Sequence, residues 1–179
     1  MEYIVHKGRP ELSTGRLTKE MRTYDLLDEL DIEYLRVDHE ALETMEACGE
    51  VDKALEVAMC KNLFLCNTQK TNFYLLLMPG DKKFKTKDLS KQIGSARLSF
   101  GPYEEMERLL DITPGSVSVM GLINDKNNEV RLIIDEELIK EKYFTCHPCI
   151  NTSSIRLKTE DLLNKFLPKV GHKPIMVSL

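Results

Sequence analysis

Apolar positions early in the chain fall at helical intervals. Met21, Tyr24, Leu27 and Leu30 recur behind Thr18, a residue type that caps helices, and Asp31 ends the run. Residues 32–37 then read as a strand, and residues 40–58 as a helix broken near Cys48-Gly49. Two continuous apolar runs, 62–66 and 73–78, flank the polar stretch 67–72 and predict a hairpin. Pro79-Gly80-Asp81 breaks the chain. Thr86 predicts the cap of a helix that reaches Ile93 and stops at Gly94, where glycine suits a left-handed end. Residues 97–100 read as a short strand. Pro102 suits a first helical position, Met106, Leu109 and Leu110 give that helix its apolar face, and Pro114-Gly115 ends it. The runs 117–123 and 130–134 flank Asn124-Asp125-Lys126-Asn127-Asn128 and predict a second hairpin. A short helix over 136–141, strands over 143–146 and 155–157, a helix over 160–167 capped by Thr159, and a strand over 175–177 complete the chain.

Strands and helices alternate, but the two predicted hairpins rule out a purely parallel sheet. The expectation is a mixed α/β (α+β) fold whose sheet is partly curled and flanked by helices. No internal repeat, low-complexity tract or long linker divides the 179 residues, so residues 1–179 are expected to form one domain.

Composition narrows the class. Apolar residues make up 42% and charged residues 30%, as in a globular protein. No apolar run approaches the ~20 residues of a membrane helix. The start, Met1-Glu2-Tyr3-Ile4-Val5-His6-Lys7, lacks a signal peptide's basic and apolar regions, so the expected compartment is the cytoplasm, without a membrane partner. Five cysteines, an odd number, argue against a disulfide framework. A net charge of −4 argues against a non-specific nucleic-acid coat. It leaves room for a local patch that touches one end of an RNA. Lys82, Lys83, Lys85, Lys87 and Lys91, with Arg97 beyond, form the densest basic run. The plainer reading of that run is a solvated loop and helix face.

The loudest chemical motif is Cys146-His147-Pro148-Cys149-Ile150-Asn151-Thr152. A C-x-x-C pair suggests a thiol oxidoreductase or half a zinc site, and a plain turn between strands is the alternative. A thioredoxin-type pair opens a helix after an early strand, whereas this one falls late and leads into a strand. Zinc needs a fuller ligand set, and Cys60 and Cys66 sit at the edges of an apolar run, where buried, inert cysteine is the better account. There is no phosphate-binding glycine motif and no evident nucleophilic triad; His39 and His147 are the histidines that could act, since His6 and His172 lie near the ends. Three features remain. Lys61 stands where a helix hands over to an apolar strand. Gly115-Ser116-Val117-Ser118 follows a proline and lets backbone approach a ligand. His147 with Asn151-Thr152 lies at another strand end. Together they suit a small polar ligand carrying a phosphate; taken separately they are unrelated surface features.

Cys60-Lys61-Asn62-Leu63-Phe64-Leu65, Arg97-Leu98-Ser99-Phe100, the run from Thr113-Pro114-Gly115-Ser116 to Asn124-Asp125, and His147-Pro148 with Asn151-Thr152 occur in order. That ordered set resembles the aminoacyl-tRNA editing superfamily, which includes YbaK proteins and the inserted editing domain of bacterial prolyl-tRNA synthetase. Within it the chain most resembles the freestanding prolyl-tRNA editing (ProX) branch, including the tail Phe166-Leu167…Gly171-His172-Lys173-Pro174, and the likeness runs from about Thr18 onward. The resemblance implies a barrel-like mixed sheet surrounded by helices. It also implies hydrolysis in trans of the ester on mischarged tRNA, with Ala-tRNA(Pro) as substrate and no metal or organic cofactor. Lys61, Gly115 and His147 would be the catalytic positions. Ser116, Val117, Ser118, Asn151 and Thr152 would bind substrate. The mischarged tRNA 3′ end and prolyl-tRNA synthetase would be partners.

The chain departs from the family pattern at two places. Val119 stands where the loop proline is expected, which predicts a looser loop, and Cys149 replaces an aliphatic residue. The physical logic is that of a sieve. A pocket built for proline gains only ~1–3 kcal/mol of discrimination per missing methylene, so a second site that admits alanine and refuses the proline ring supplies the rest. Two rivals differ in kind: a non-catalytic binding member of the same fold, favoured by Val119, and the C-x-x-C oxidoreductase.

Overall fold

The computed structural model describes residues 2–179. Nine strands form two sheets among the described residues. The first has the order β1-β2-β8-β7 and is antiparallel throughout, built from β1 (Val5–Lys7), β2 (Tyr34–Asp38), β7 (Tyr143–Cys146) and β8 (Ser153–Lys158). The second, order β5-β3-β4-β6-β9, is mixed: β3 (Cys60–Asn67), β4 (Phe73–Pro79), β5 (Leu98–Phe100), β6 (Val130–Asp135) and β9 (Ile175–Val177). The sheets are separate, so the architecture is curled and layered without closing into a barrel.

The two-residue period of β4 divides the core. Phe73, Leu75 and Leu77 face the larger cluster, with Tyr24, Leu132 and Phe144, while Tyr74, Leu76 and Met78 face a second cluster under Leu89. A strand buried on both faces reads as an unbroken apolar run, which is why residues 73–78 show no alternation. The β3–β4 hairpin forms as predicted, with Leu63 opposite Leu76.

The second predicted hairpin does not form. Residues 117–123 hold a 3-10 helix, Val119–Ile123, opened by the Ser118 hydroxyl, which accepts from the Met120 N–H at 3.1 Å. Val119, Met120 and Leu122 are all buried, so the run carries no periodicity that separates helix from strand. Residues 130–134 are a strand, but β6 pairs parallel with β4 and β9. The other hairpin is β7–β8, and its turn is the Cys146–Thr152 motif.

Helix ends differ from expectation in detail. Helix α1 (Thr18–Glu29) and helix α3 (Thr86–Ile93) begin at their threonines and are flanked by Leu17 and Lys85, with no side-chain cap. Gly94 does end α3 in the left-handed region, at φ 67°. Helix α2 (Met45–Ala54) starts later than expected, capped by Thr44, and runs unbroken through Cys48-Gly49. Pro102 precedes α4 (Tyr103–Leu110), which ends at Asp111, before Pro114-Gly115. The last helix starts at Thr159 as α5 (Thr159–Asp161), passes through a π-helical turn at Leu162–Phe166 and ends as α6 (Leu167–Val170). The predicted helix over 136–141 is one 3-10 turn, Leu138–Lys140.

Two strand edges set up the site. β5 pairs with β3 only from Leu65 to Asn67, so the first half of β3 has one bare edge. β7 is the outer strand of the other sheet.

Candidate active site

A cavity of about 290 Å³ opens between these two edges. Four consecutive β3 residues, Cys60 to Leu63, line it, which only a strand approached edge-on can do. β7 and its turn contribute Thr145, Cys146 and His147, the glycine loop contributes Gly115 and Val117, and α2 contributes Met45, Cys48 and Asp52. Lys61, Gly115, Val117 and His147, which sequence reasoning had linked, therefore meet at one place.

Lys61 shares the face of β3 that carries Leu63 and Leu65 and lies at the cavity margin. Its Nζ donates to the carbonyl of Lys82. The Lys82 ammonium is itself held by Asp135 at 2.9 Å, Glu137 at 3.1 Å and the Leu179 carbonyl at 2.8 Å. A firmly anchored segment thus orients Lys61, and two of its three N–H donors remain for a ligand. Lys61 and Leu63 also border a shallower groove of about 490 Å³, with Phe84, Lys85, Thr86, Lys87 and Phe100.

His147 is fixed at the start of the β7–β8 turn. A carbonyl oxygen can only accept, so the contact of Nδ1 with the Ser153 carbonyl at 2.8 Å puts the proton on Nδ1 and leaves Nε2 a lone pair. His39 uses the same logic: Nδ1 donates to the Glu40 carbonyl at 2.7 Å, and Nε2 accepts from the Ser154 hydroxyl at 2.9 Å. Burial lowers the pKa of both imidazoles, and His39 adds to the effect on His147, so both rings are neutral near pH 7. Beneath the turn, Ser153 Oγ donates to Asp38 at 2.6 Å, and Arg16 and Arg36 clamp the same carboxylate. Burial opposes that charge, but these hydrogen bonds outweigh it and hold Asp38 far below the usual carboxylate range.

Gly115 sits at φ 89°, a conformation side chains disfavour, and a Cβ there would meet Asn151 Nδ2 at 3.0 Å. The four other predicted substrate-binding residues are not on the cavity wall. Ser116 is buried, its hydroxyl donating to the Thr113 carbonyl at 2.8 Å. Ser118 is buried, and its hydroxyl donates to the His147 carbonyl at 2.6 Å, tying the glycine loop to the histidine turn. Asn151 turns away and bonds both backbone groups of Leu42, accepting from its N–H at 3.2 Å. Thr152 borders a separate cavity with Arg16 and Asp38, and its carbonyl accepts from His39 N–H at 3.0 Å. Ser116, Ser118 and Asn151 brace the site, because their side-chain polar groups are used within the protein; Thr152 is exposed and contributes its backbone carbonyl.

Val119 does not loosen the loop. It is fully buried, and its N–H donates to Asn62 Oδ1 at 3.1 Å, a bond proline cannot make. Asn62 and Asp52 are the residues sequence reasoning missed. Asn62 could have been suspected as a polar residue inside an apolar strand; Asp52 carried no signal, because the α2 face that turns to the cavity is set by tertiary packing.

The cysteine pair has the wrong chemistry for redox work. Both are free and buried; burial pushes the Cys149 thiol up to about 11 and Cys146 further, the opposite of an activated thiolate. Cys149 serves the turn instead, at φ 64° with the Thr23 hydroxyl against its sulfur. No group of three or more His, Cys, Asp or Glu side chains is arranged to hold a metal ion among the described residues. Among them too, no helix is long and apolar enough to cross a membrane.

Residues 39–165 match the family described as the aminoacyl-tRNA editing domain. Over 136 residues the chain is 34% identical to the prolyl-tRNA editing protein ProX of Acetoanaerobium sticklandii, spanning 76% of this chain and 83% of that protein. It is 30% identical to prolyl-tRNA synthetase associated domain-containing protein 1 of Mus musculus, over 79% of this chain and 85% of that one. In fold it matches the crystal structure of a proposed trans-editing enzyme for prolyl tRNA synthetase, with a TM-score of 0.65 at 15% identity, covering 91% and 98% of the two chains. The chain belongs to the aminoacyl-tRNA editing domain family, and with it to the hydrolases that deacylate tRNA. Within that family it is similar to the freestanding prolyl-tRNA editing proteins.

Proposed function

We propose that this protein is a trans-editing deacylase that hydrolyses Ala-tRNA(Pro) in the cytoplasm. The observation that carries the reading is the cavity between the β3 and β7 edges, where Lys61, Gly115, Val117 and His147 converge. Its Leu42, Met45 and Met59 lining suits a small apolar side chain such as the alanine methyl, as the sieve reading requires.

In this reading Lys61 holds the phosphate and ribose side of the terminal adenosine, its ammonium aimed by the Lys82 carbonyl. The Gly115 turn brings backbone amides to the oxygen that becomes an oxyanion when water attacks. The neutral His147, with Nε2 unprotonated, accepts a hydrogen bond from the attacking water or the ribose hydroxyl and orients it. The ester is already reactive, so positioning and oxyanion stabilisation suffice without a nucleophilic triad. The groove beside Lys61 supports the polynucleotide side of the reading. Lys85 and Lys87 line it, Phe100 is 66% exposed at its rim, and Lys83, Lys91 and Arg97 stand exposed nearby. Bases stack on such rings and phosphates pair with such lysines. Prolyl-tRNA synthetase is the enzyme whose errors would supply the substrate.

The test is deacylation of proline tRNA charged with labelled alanine, beside Pro-tRNA(Pro) as the cognate control. Ester loss well above spontaneous hydrolysis is expected for alanine alone, with Lys61→Ala reducing it by at least about a hundredfold. A rate equal to spontaneous hydrolysis, or no effect of Lys61→Ala, overturns the reading.

A further inference from the structure

One acidic side chain lines the cavity, and nothing in the reading above uses it. Asp52 lies on α2, on the face that also brings Met45 and Cys48 to the cavity. The adjoining stripe of the helix, Val51 with Leu55 just beyond its end, packs against Val37 and fixes which way Asp52 turns. No basic side chain pairs with Asp52 among the described residues. The group that favours its charged form is the Thr145 hydroxyl. Burial pushes its pKa up to about 6, so near pH 7 the cavity still contains a largely ionised carboxylate without a counter-ion.

Position says what would supply the counter-ion. Thr145 precedes His147 by two residues on the β7 line, so the two fall about 6–7 Å apart along the chain. Asp52, whose charged form the Thr145 hydroxyl favours, and His147 therefore line one cavity at different positions along the β7 line. Every free aminoacyl ester offers an α-amino group, cationic when protonated, on the carbon next to the ester carbonyl.

We infer that the Asp52 carboxylate is the subsite for the α-ammonium group of the aminoacyl ester. This rests on the deacylase reading and extends it to substrate class. With the ammonium on Asp52, the methyl faces the Leu42, Met45 and Met59 lining, and the ester carbonyl falls between Gly115 and His147. Esters whose amino group is acylated, as in peptidyl-tRNA, lack the charge and bring bulk to the same spot, so the site accepts free aminoacyl esters and refuses N-blocked ones.

The experiment compares Ala-tRNA(Pro) with N-acetyl-Ala-tRNA(Pro) in the wild type and in Asp52→Asn, a nearly isosteric change. The wild type deacylates the free form at least about tenfold faster, the value of one charge-assisted hydrogen bond. Asp52→Asn loses at least that factor on the free form and changes by less than about twofold on the N-acetyl form. Equal loss on both substrates, or no loss on the free form, overturns the assignment. Should Asp52→Asn fail to fold, Asp52→Ser reads the same ratio. Should the wild type hydrolyse neither ester, the deacylase reading fails, and binding of 3′-alanylamido-3′-deoxyadenosine decides this one separately. Weaker binding by Asp52→Asn, lost when that probe is N-acetylated, supports the subsite; equal binding by both proteins rejects it.

Discussion

The side-chain oxygen of Asn62 accepts a hydrogen bond from the backbone N–H of Val119 at 3.1 Å. This contact ties the bare edge of β3 to the loop that carries Gly115. It also means that the residue standing in the place of a loop proline supplies a donor the proline would lack.

If that one bond sets the loop, Asn62→Ala and Val119→Pro act through the same interaction. Each is expected to lower the deacylation rate by about tenfold, as loss of one buried hydrogen bond with a partner left unpaired. The double variant is expected to lose no more than either alone. Single-turnover rates in a double-mutant cycle check this, and additive losses would mean the bond is not shared.

The groove beside Lys61 predicts a different kinetic signature. Lys85→Glu with Lys87→Glu is expected to raise KM for the charged tRNA severalfold and leave kcat within about twofold, because neither lysine borders the aminoacyl cavity. Losing phosphate contacts also flattens the salt dependence of tRNA binding. A fall in kcat at unchanged KM would place the two lysines with the chemistry instead.

Asp52 couples the cavity to stability. Its folded-state pKa of about 6 lies above the ~3.9 of an unfolded aspartate. The folded state therefore binds the proton more tightly, and this group adds stability as pH falls from above 6 towards 4 and withdraws it as pH rises. Asp52→Asn is accordingly expected to stabilise the fold at pH 7.5 by about 1–2 kcal/mol, discounted for solvent in the open cavity. At pH 4.5, still above the unfolded pKa, the gain should shrink to about a third. Urea unfolding at the two pH values measures it, and destabilisation at pH 7.5 would show that the carboxylate supports the fold.

Asp38 has the opposite sign. Its folded-state pKa is held below the unfolded value by Arg16, Arg36 and Ser153, so its contribution is complete above about pH 4 and is lost as pH falls further. Asp38→Asn is expected to destabilise the protein at pH 7 and to flatten the acid limb of its stability profile. An unchanged acid limb would assign that limb to other carboxylates.

The Cys149 thiol should be dispensable. Cys149→Ser is expected to keep the deacylation rate within about twofold, since the thiol lies away from the cavity and its neighbour is the Thr23 hydroxyl. Iodoacetamide at pH 8 should label it far more slowly than an exposed thiol, because burial keeps it protonated. Rapid labelling would contradict that environment.

Local pattern determined much of this protein. The β3–β4 hairpin, the α3 stop at Gly94 and the closing strand at Ile175–Val177 follow from turn residues, periodicity and a glycine at a left-handed position. The ordered motifs carried the family resemblance that singles out Lys61, Gly115 and His147. Other features were decided only by tertiary structure. Residues 117–123 are apolar throughout and became a 3-10 helix, because burial on every side erases the period that separates helix from strand. β6 found β4 in parallel through a pairing that no local turn records. Asn151, Ser116 and Ser118 read as ligand contacts, whereas the fold uses their side-chain polar groups internally. Asp52 shows the same limit from the other side: the packing of Val51 and Leu55 against Val37 turned an unremarkable helical aspartate into the cavity. Sequence determines which groups are available, and long-range packing determines which of them remain unsatisfied, and so free to act.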